Sequence, residues 1–479
     1  MIQFLLNRQH ICERELDPNI TVLEYLRTRA IKKGTKEGCA SGDCGACTAV
    51  LVSLEGEQLR YTSINTCLTF IASLHGMQLI TVEDLAYRGA LHKAQQAMVD
   101  HHGSQCGYCT PGFVMSMFAL SKNTKTGDLA EIQQALGGNL CRCTGYRPIV
   151  DAAKQMLQDT CPDQFDTAQA QVAGQLQVLH QMDAPVLQGD GRRAYAPSTL
   201  DELFRLLTQY PRAQLVAGGT DLALQVTQFH RPIEVLISLS QLAELTGVAA
   251  TQEALVIGAA TPLSACEESL HRHFPSFGAL FERFASLQIR NRGTLGGNIA
   301  NASPIGDAPP ALIALGASID LHSAQGTREM PLEAFFVDYK QTQLAAGECI
   351  VNVRIPYAQT GDQLRCYKVS KRLEDDISAV LGCINLAVED GVVTRVRIAF
   401  GGMAAIPKRA LKCEAALLGQ PWNEQSITSA QVALTKDFTP LSDFRASSAY
   451  RMRCAQNMLR RYYIELTEPQ TAIQVVQYA

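Results

Sequence analysis

Sixteen cysteines occur in this 479-residue sequence, and eight of them fall between Cys39 and Cys143 in two groups of four. The first group is Cys39, Cys44, Cys47 and Cys67, the first three of them set in GCASGDCGAC. The second is Cys106, Cys109, Cys141 and Cys143, in HGSQCGYCTPG and GGNLCRCTGYRP. Stretches this rich in glycine lack the bulk to build a core, so the thiols need another use. A thiol binds metal as the thiolate, and four thiolates brought together suit zinc or an iron–sulfur cluster. In a reducing compartment, clustered cysteines point to metal rather than to disulfides. The other eight, Cys12, Cys161, Cys266, Cys349, Cys366, Cys383, Cys413 and Cys454, are scattered singly. They read as small packing residues.

The first group is spaced C-x4-C-x2-C with a fourth cysteine after nineteen intervening residues. That is the spacing of a plant-type [2Fe–2S] site, whereas zinc ribbons pair two C-x2-C units. Gly38, Gly42 and Gly45 are expected to take positive φ and turn N–H groups toward sulfur. The flanking runs IQFLLN, TAVLVSL and QLRYTSI read as strands, which makes a small sheet domain with the loop at its rim. In the second group, C-x2-C precedes Pro111 and a helical pattern through Phe113, Met117 and Leu120. C-x-C precedes Pro148 and a helix with Ile149, Ala152, Ala153 and Met156 on one face. Both pairs are therefore expected at helix N-termini, where the dipole favours thiolate. VEDLAYRGALHKAQQAMVDHH and DLAEIQQALGG complete four helical stretches. This second spacing alone leaves zinc open; beside the first group, a second cluster is favoured.

A net charge of −4 creates no basic field for nucleic acid. No apolar run approaches the ~18 residues of a membrane span. The start, MIQFLLNRQHICEREL, lacks a basic n-region, and a cytoplasmic location is expected. The length predicts about three or four domains. Residues 160–198 are rich in Gln, Ala and Gly and read as a connector with a helical turn or two. In QLVAGGTDLAL an apolar strand enters Gly218-Gly219-Thr220-Asp221, and GTLGGNIANASPIGD crowds small residues into a second loop. Each is either a nest for phosphate oxygens or an ordinary turn. Neither G-x-G-x-x-G nor a P-loop is present. Toward the end, EDG between two apolar alternations reads as a hairpin. KRALKCEAALLGQ and SSAYRMRCAQNMLRRYYIEL read as amphipathic helices.

GCASGDCGACTAV, HGSQCGYCTPGFVMS and GNLCRCTGYRPI resemble the two [2Fe–2S] domains of the molybdenum hydroxylase family, and LVAGGTDL and TLGGNIANASPIGD resemble its flavin-binding loops. The resemblance runs along essentially the whole chain. It implies an α+β multidomain fold: a β-grasp plant-type ferredoxin domain (1–82), a four-helix [2Fe–2S] domain (83–160), a connector (161–190), an α+β FAD-binding domain (191–360) and a small α+β C-terminal domain like that of CO dehydrogenase flavoproteins (361–479). It implies two [2Fe–2S] clusters on the eight clustered cysteines. It places FAD against Ala217, Gly218, Gly219, Thr220, Asp221 and Leu222 and against Thr294, Leu295, Gly296, Gly297 and Asn298, with Asp307 beside them. Phe284 would stack on the isoalloxazine ring, and Ile350 and Lys368 would also touch the flavin. Gln105 matches a glutamine that contacts the pterin, and Glu374, Asp375 and Asp376 fall in an acidic loop near the flavin ring.

The family's large molybdopterin domain has no counterpart before Ala479. The resemblance therefore implies a large molybdopterin-binding partner subunit, a heterotetramer of two small and two large subunits, and no catalytic residue on this chain. The fusion of cluster and flavin parts is similar to the small subunit of bacterial family members that act on xanthine. Electrons from hypoxanthine or xanthine, hydroxylated on the partner, would pass through the helical-domain cluster and the ferredoxin-like cluster to FAD and then to NAD+. An equivalent subunit serving aldehydes or N-heterocycles is the alternative within the family. A zinc scaffold and a stand-alone NADH-dependent flavoprotein are the alternatives outside it.

Overall fold

The computed structural model describes every residue except Lys125, 181–185, Glu374, Ala472 and 474–479. The chain forms two compact units, Met1–Ala243 with Ala285–Gly293, and Glu244–Phe284 with Thr294–Ala479.

The first unit opens with a five-stranded sheet in the order β2-β1-β5-β3-β4: β1 Ile2–Leu6, β2 Gln9–Glu13, β3 Thr48–Glu55, β4 Gln58–Asn65 and β5 Gln78–Ile80. β1 and β5 run parallel and the other pairs antiparallel. Helix α1, Val22–Thr28, starts where the Thr21 side chain accepts the N–H of Glu24, and it buries Val22, Leu23 and Leu26. This is a β-grasp, with the cysteine loop lying between α1 and β3. The next part holds α2 Lys93–Asp100, α3 Thr110–Asn123, α4 Leu129–Leu136 and α5 Arg147–Gln158. α3 is buried along Gly112–Leu120 and forms the centre of this bundle. α2 begins later than the VEDLAYRG pattern predicts, because Arg88 and Gly89 both take positive φ in a turn bridged from Tyr87 to Ala90.

The connector is more ordered than its composition suggests. It carries a short turn, α6 Gln164–Thr167, and a twelve-residue helix, α7 Gln169–His180. Leu176 and Leu179 of α7 pack on Leu5, with Val172 alongside. These three lie at helical spacing on one face, which a glutamine-rich background hides. Asp163 caps α6 and also joins it to the bundle: His92 Nε2 lies 2.8 Å from Oδ2, and Lys122 Nζ donates to Oδ1 at 2.8 Å. His92 Nδ1 accepts the Ala94 N–H at 3.2 Å, so its Nε2 is the donor toward Asp163. A second sheet has the order β6-β7-β9-β8, formed by Val186–Gly189, Arg192–Tyr195, Val235–Ser238 and Gln214–Val216 in that order. Its first hairpin turns on Asp190 and Gly191, both at positive φ.

The second unit has two larger antiparallel sheets and a two-stranded one, Phe336–Asp338 with Gln341–Thr342. The first runs in the order Val248–Ala250, Ala254–Gly258, Cys349–Pro356, Ser318–Ser323, Gly326–Pro331. Helices Leu263–His273, Pro275–Glu282 and Ala308–Ala314 supply much of its core, including Phe277, Phe281 and Leu312. The second runs Gln363–Val369, Val380–Glu389, Val392–Gly401, Lys408–Arg409. Its central hairpin turns on Asp390 and Gly391, both at positive φ, as the EDG signal predicts. Helices Leu411–Leu417, Glu424–Asp437 and Ser448–Thr467 cover it. The middle helix has no counterpart in the sequence reading; its buried positions are mostly small, Ser426, Ala430 and Ala433 among them, so its apolar stripe is faint. Among the described residues no helix is long and apolar enough to cross a membrane.

Candidate functional site

The first four thiols converge as two pairs. Cys47 stands one residue before β3 and Cys67 lies in the 3₁₀ turn after β4. Their sulfurs are 3.4 Å apart, and both residues are 2% exposed. Cys39 and Cys44 form the outer, half-buried pair. The Cys39 sulfur accepts three backbone N–H groups, from Ser41 at 3.4 Å, Asp43 at 3.3 Å and Cys44 at 3.4 Å. Those bonds and the neighbouring Cys44 thiol, which is the larger effect, pull the Cys39 thiol down to about 4. Cys44 is pushed up in turn, and Cys47 and Cys67 split the same way, downward and upward. Two sulfurs sharing one proton behave so. Two thiolates per metal is also the donor set of each iron in a [2Fe–2S] rhomb, so the residues fit the group that their spacing implies.

Gly42 and Gly45 adopt positive φ, as expected. Gly38 does not, and it is glycine for a different reason: a Cβ there would lie 2.7 Å from the Cys44 sulfur. Asn65 Nδ2 donates to the Gly42 carbonyl at 2.9 Å and ties the loop to the end of β4.

Cys106, Cys109, Cys141 and Cys143 gather at one end of the helical bundle, with Cys106 and Cys143 exposed. Cys106 is shifted down by the Tyr108 N–H above all, and Cys143 up by the Cys106 thiol. Cys109 is pushed up to about 12 by burial first and then by Cys141. Cys109 is the N-cap of α3, with Pro111 in the first turn. The other pair departs from expectation. Cys141 and Cys143 lie ahead of α5, whose N-cap is Tyr146 at φ 68°. Burial would raise Cys141; the Thr144 hydroxyl at 3.2 Å and N–H, the Cys143 N–H and the Cys109 thiol together outweigh this and hold it down. Tyr146 returns its hydroxyl to the Cys141 N–H at 3.1 Å. Gln105 is exposed.

The two thiol-bearing loops touch. The Leu140 N–H donates to the Cys44 carbonyl at 3.0 Å, which links the residue before Cys141 directly to a cysteine of the first group. A buried polar knot surrounds this contact. The Gly45 carbonyl accepts Asn139 Nδ2 at 3.0 Å, Asn139 Oδ1 accepts Ser116 Oγ at 2.6 Å, and Gln288 Nε2 donates to the same Oδ1 at 3.0 Å. A Cβ on Gly112 would sit 2.3 Å from the Gly45 carbonyl oxygen, and one on Gly138 would sit 2.1 Å from Gln288 Oε1. Glycine at both places lets the loops close. Gln288 is fully buried, in the segment Ala285–Gly293 that belongs to this unit. Its role has no sequence signal, since glutamine in LQIRN reads as surface.

In the same unit, GGTD is a tight turn after β8. Gly219 has φ 77°, and a Cβ on Gly218 would lie 1.7 Å from the Arg292 carbonyl oxygen. Ala217, Thr220 and Leu222 are half-buried and Asp221 is exposed. In the second unit, Thr294–Asn298 form the start of a short helix, Leu295–Ala300, and not the loop that the sequence suggests. Thr294 Oγ1 caps it by accepting the Gly297 N–H at 3.1 Å. Gly296 is small because a Cβ would meet Ala259 at 2.5 Å, while Gly297 is exposed. Asn298 Oδ1 is buried without a hydrogen-bond partner. An orphaned acceptor of this kind is satisfied by a ligand hydroxyl, and the site fits a ribityl chain in that respect.

Asp307 has partners of its own. Lys368 Nζ donates to Oδ2 at 2.7 Å and Ser378 Oγ to Oδ1 at 2.6 Å. Lys368 Nζ also donates to the Arg283 carbonyl at 2.9 Å. Phe284 is half-buried and stacks on Phe281, with centroids 5.9 Å apart. Ile350 is buried in the strand Cys349–Pro356. Asp376 is turned back on its own loop and accepts the Arg372 N–H at 3.0 Å; Asp375 has φ 57°, and Glu374 lies outside the described residues.

Four family models match in series: a 2Fe-2S iron–sulfur cluster binding domain over residues 6–72, a [2Fe-2S] binding domain over 81–154, the FAD binding domain in molybdopterin dehydrogenase over 190–358, and the CO dehydrogenase flavoprotein C-terminal domain over 365–466. The chain is 32% identical to xanthine dehydrogenase/oxidase of Gallus gallus across 89% of its length, and 32% identical to xanthine dehydrogenase of Emericella nidulans across 96%. It spans 37% and 38% of those relatives. Among solved structures it resembles a chain of carbon monoxide dehydrogenase from Hydrogenophaga pseudoflava, with TM-score 0.54 and 30% identity over 58% of this chain and 96% of that one. A chain of quinoline 2-oxidoreductase from Pseudomonas putida 86 aligns with TM-score 0.52 and 26% identity, over 56% and 94%. With its paired thiols, its flavin-domain loops and these four domains in one order, the chain belongs to the molybdenum hydroxylase family, as an iron–sulfur and flavin-binding part.

Proposed function

We propose that this chain is the electron-transfer subunit of a xanthine dehydrogenase, taking electrons from a molybdenum cofactor on a large partner subunit, where hypoxanthine and xanthine are hydroxylated, and delivering them to NAD+. When bound, the two [2Fe–2S] clusters relay single electrons and FAD exchanges them for a hydride. Cys39, Cys44, Cys47 and Cys67 hold one cluster, and Cys106, Cys109, Cys141 and Cys143 the other. The observation that carries the reading is the hydrogen bond from Leu140 N–H to the Cys44 carbonyl, which leaves only one residue and one bond between the two ligand sets.

Within the first unit the candidate FAD segment is Ala217–Leu222; within the second it is Thr294–Asn298, with Phe284, Ile350 and Lys368. Gly218 and Gly219 keep the first turn tight, Asn298 supplies its free carboxamide oxygen, and Asp307 acts by fixing the Lys368 ammonium. The working assembly is two small and two large subunits in the cytoplasm. Quinoline 2-oxidoreductase among the structural neighbours favours a second reading, in which the partner oxidises an N-heterocycle instead.

The test is a visible spectrum of the purified protein, with iron, sulfide, zinc and flavin counted, before and after NADH. About four irons and one FAD per chain with bleaching by NADH support the proposal. Zinc without flavin overturns it. Iron and flavin without bleaching remove NAD+ as the acceptor. Turnover of the complex with xanthine or with quinoline separates the two readings.

A further inference from the structure

Two of the scattered cysteines are not merely packing residues. Cys366 and Cys383 stand directly opposite each other on the antiparallel strands Gln363–Val369 and Val380–Glu389. The Cys366 N–H points away from its partner strand, to Ser276 Oγ at 2.8 Å on the helix Pro275–Glu282. This marks the pair as a non-hydrogen-bonded one, in which opposed Cα atoms lie about 4.5 Å apart and side chains come closest. That separation is inside the range of about 4.4–6.8 Å that a disulfide spans. The two residues also pack against the same core. Cys383 is fully buried and Cys366 half-buried, so solution oxidants reach Cys366 first.

The surroundings give the pair a consequence. Lys368 follows Cys366 by two residues on one strand, and Ser378 stands just ahead of the other strand. These are the two side chains that hold Asp307. We propose that Cys366 and Cys383 form a reversible cross-strand disulfide under hydrogen peroxide, clamping together the two strands that hold Asp307.

The chemistry balances. The Cys366 thiolate attacks one peroxide oxygen, the O–O bond breaks, hydroxide leaves and a sulfenic acid remains. The Cys383 sulfur then attacks the Cys366 sulfur, the S–O bond breaks, and the Cys383 proton leaves with the departing hydroxide as water. Two thiols lose two electrons and two protons, and peroxide becomes two waters. An external dithiol reverses the step by thiol–disulfide exchange.

The experiment treats the full-length, cofactor-loaded protein with hydrogen peroxide, blocks free thiols under denaturing conditions, and maps tryptic peptides by mass. Trypsin yields residues 366–368 and 373–395, each with one cysteine. The expected product is these two peptides joined, lighter than their sum by two hydrogens. Alkylatable Cys366 and Cys383 disappear in step, and both return after dithiothreitol. Exposed Cys12 and Cys161 report that oxidant was present. In Cys366→Ser, Cys383 stays reduced; in Cys383→Ser, Cys366 proceeds to sulfinic acid. The proposal is overturned if both cysteines remain separately alkylatable while Cys161 is oxidised, or if wild-type Cys366 goes to sulfinic acid with Cys383 still free. Neither readout depends on activity or on flavin content.

Discussion

Lys368→Met isolates the buried ion pair that Lys368 makes with Asp307 in the second unit. The Lys368 side chain is 1% exposed and that of Asp307 6%, so the variant leaves a buried carboxylate with the Ser378 hydroxyl as its remaining partner. Breaking one side of a buried pair costs about 3–5 kcal/mol. The single tryptophan, Trp422, packs on Tyr462 and Tyr463 in the same unit, so its fluorescence follows unfolding of that unit in urea. With an m-value of about 3 kcal/mol/M, the midpoint should fall by about 1–1.7 M. Asp307→Asn added to Lys368→Met removes the stranded charge and should recover at least half of the loss. The reasoning fails if Lys368→Met costs less than about 1 kcal/mol, the worth of an exposed pair. It fails equally if the double variant is no more stable than the single one.

Gly297→Ala places its methyl on an exposed helical position 2.8 Å from Thr294 Oγ1, so that cap must shift; the apoprotein should lose about 0.5–2 kcal/mol in thermal melts while FAD content drops. Gly218→Ala should lower stability further as well as FAD content, because its methyl would sit 1.7 Å from a backbone oxygen. Cys44→Ser and Cys106→Ser should each remove about half of the bound iron and sulfide, measured colorimetrically. Burial would raise the Asp163 carboxyl, but hydrogen bonds from His92 and Lys122 outweigh it and hold it far below the usual carboxylate range. A depressed folded-state value stabilises the fold above the unfolded pKa of about 3.9, and that contribution fades as pH falls below it. Asp163→Asn should therefore lose about 1–3 kcal/mol at pH 7 by circular dichroism melts, with the gap to wild type closing below about pH 4.

The two iron–sulfur domains were legible because cysteine spacing is a covalent constraint that limits which thiols can meet. The hairpin at Asp390-Gly391 was legible because few residues tolerate two successive positive φ angles. Gly38 shows the limit of such reasoning, since its need is for space beside the sulfur of Cys44, six residues on, and not for a dihedral. Helix α7 was missed because Val172, Leu176 and Leu179 make a narrow stripe among glutamines. TLGGNIAN read as a loop because two glycines argue against helix, whereas the Thr294 cap and close packing on Ala259 decide otherwise. The Lys368–Asp307 pair and the Gln288 knot were invisible, because each joins residues far apart in sequence whose types carry no pairing signal.

The placement of Ala285–Gly293 in the first unit has a consequence for biosynthesis. A nascent chain that has emerged only as far as Ala243 possesses all eight clustered cysteines but lacks Gln288, and so Asn139 and Ser116 wait beside a gap where a buried amide belongs. The loops carrying Cys44 and Cys141 acquire their final support only after much of the second unit's early sequence has been translated. A fragment ending at Ala243 should therefore hold its iron more loosely than the same fragment supplied with a peptide of residues 285–293.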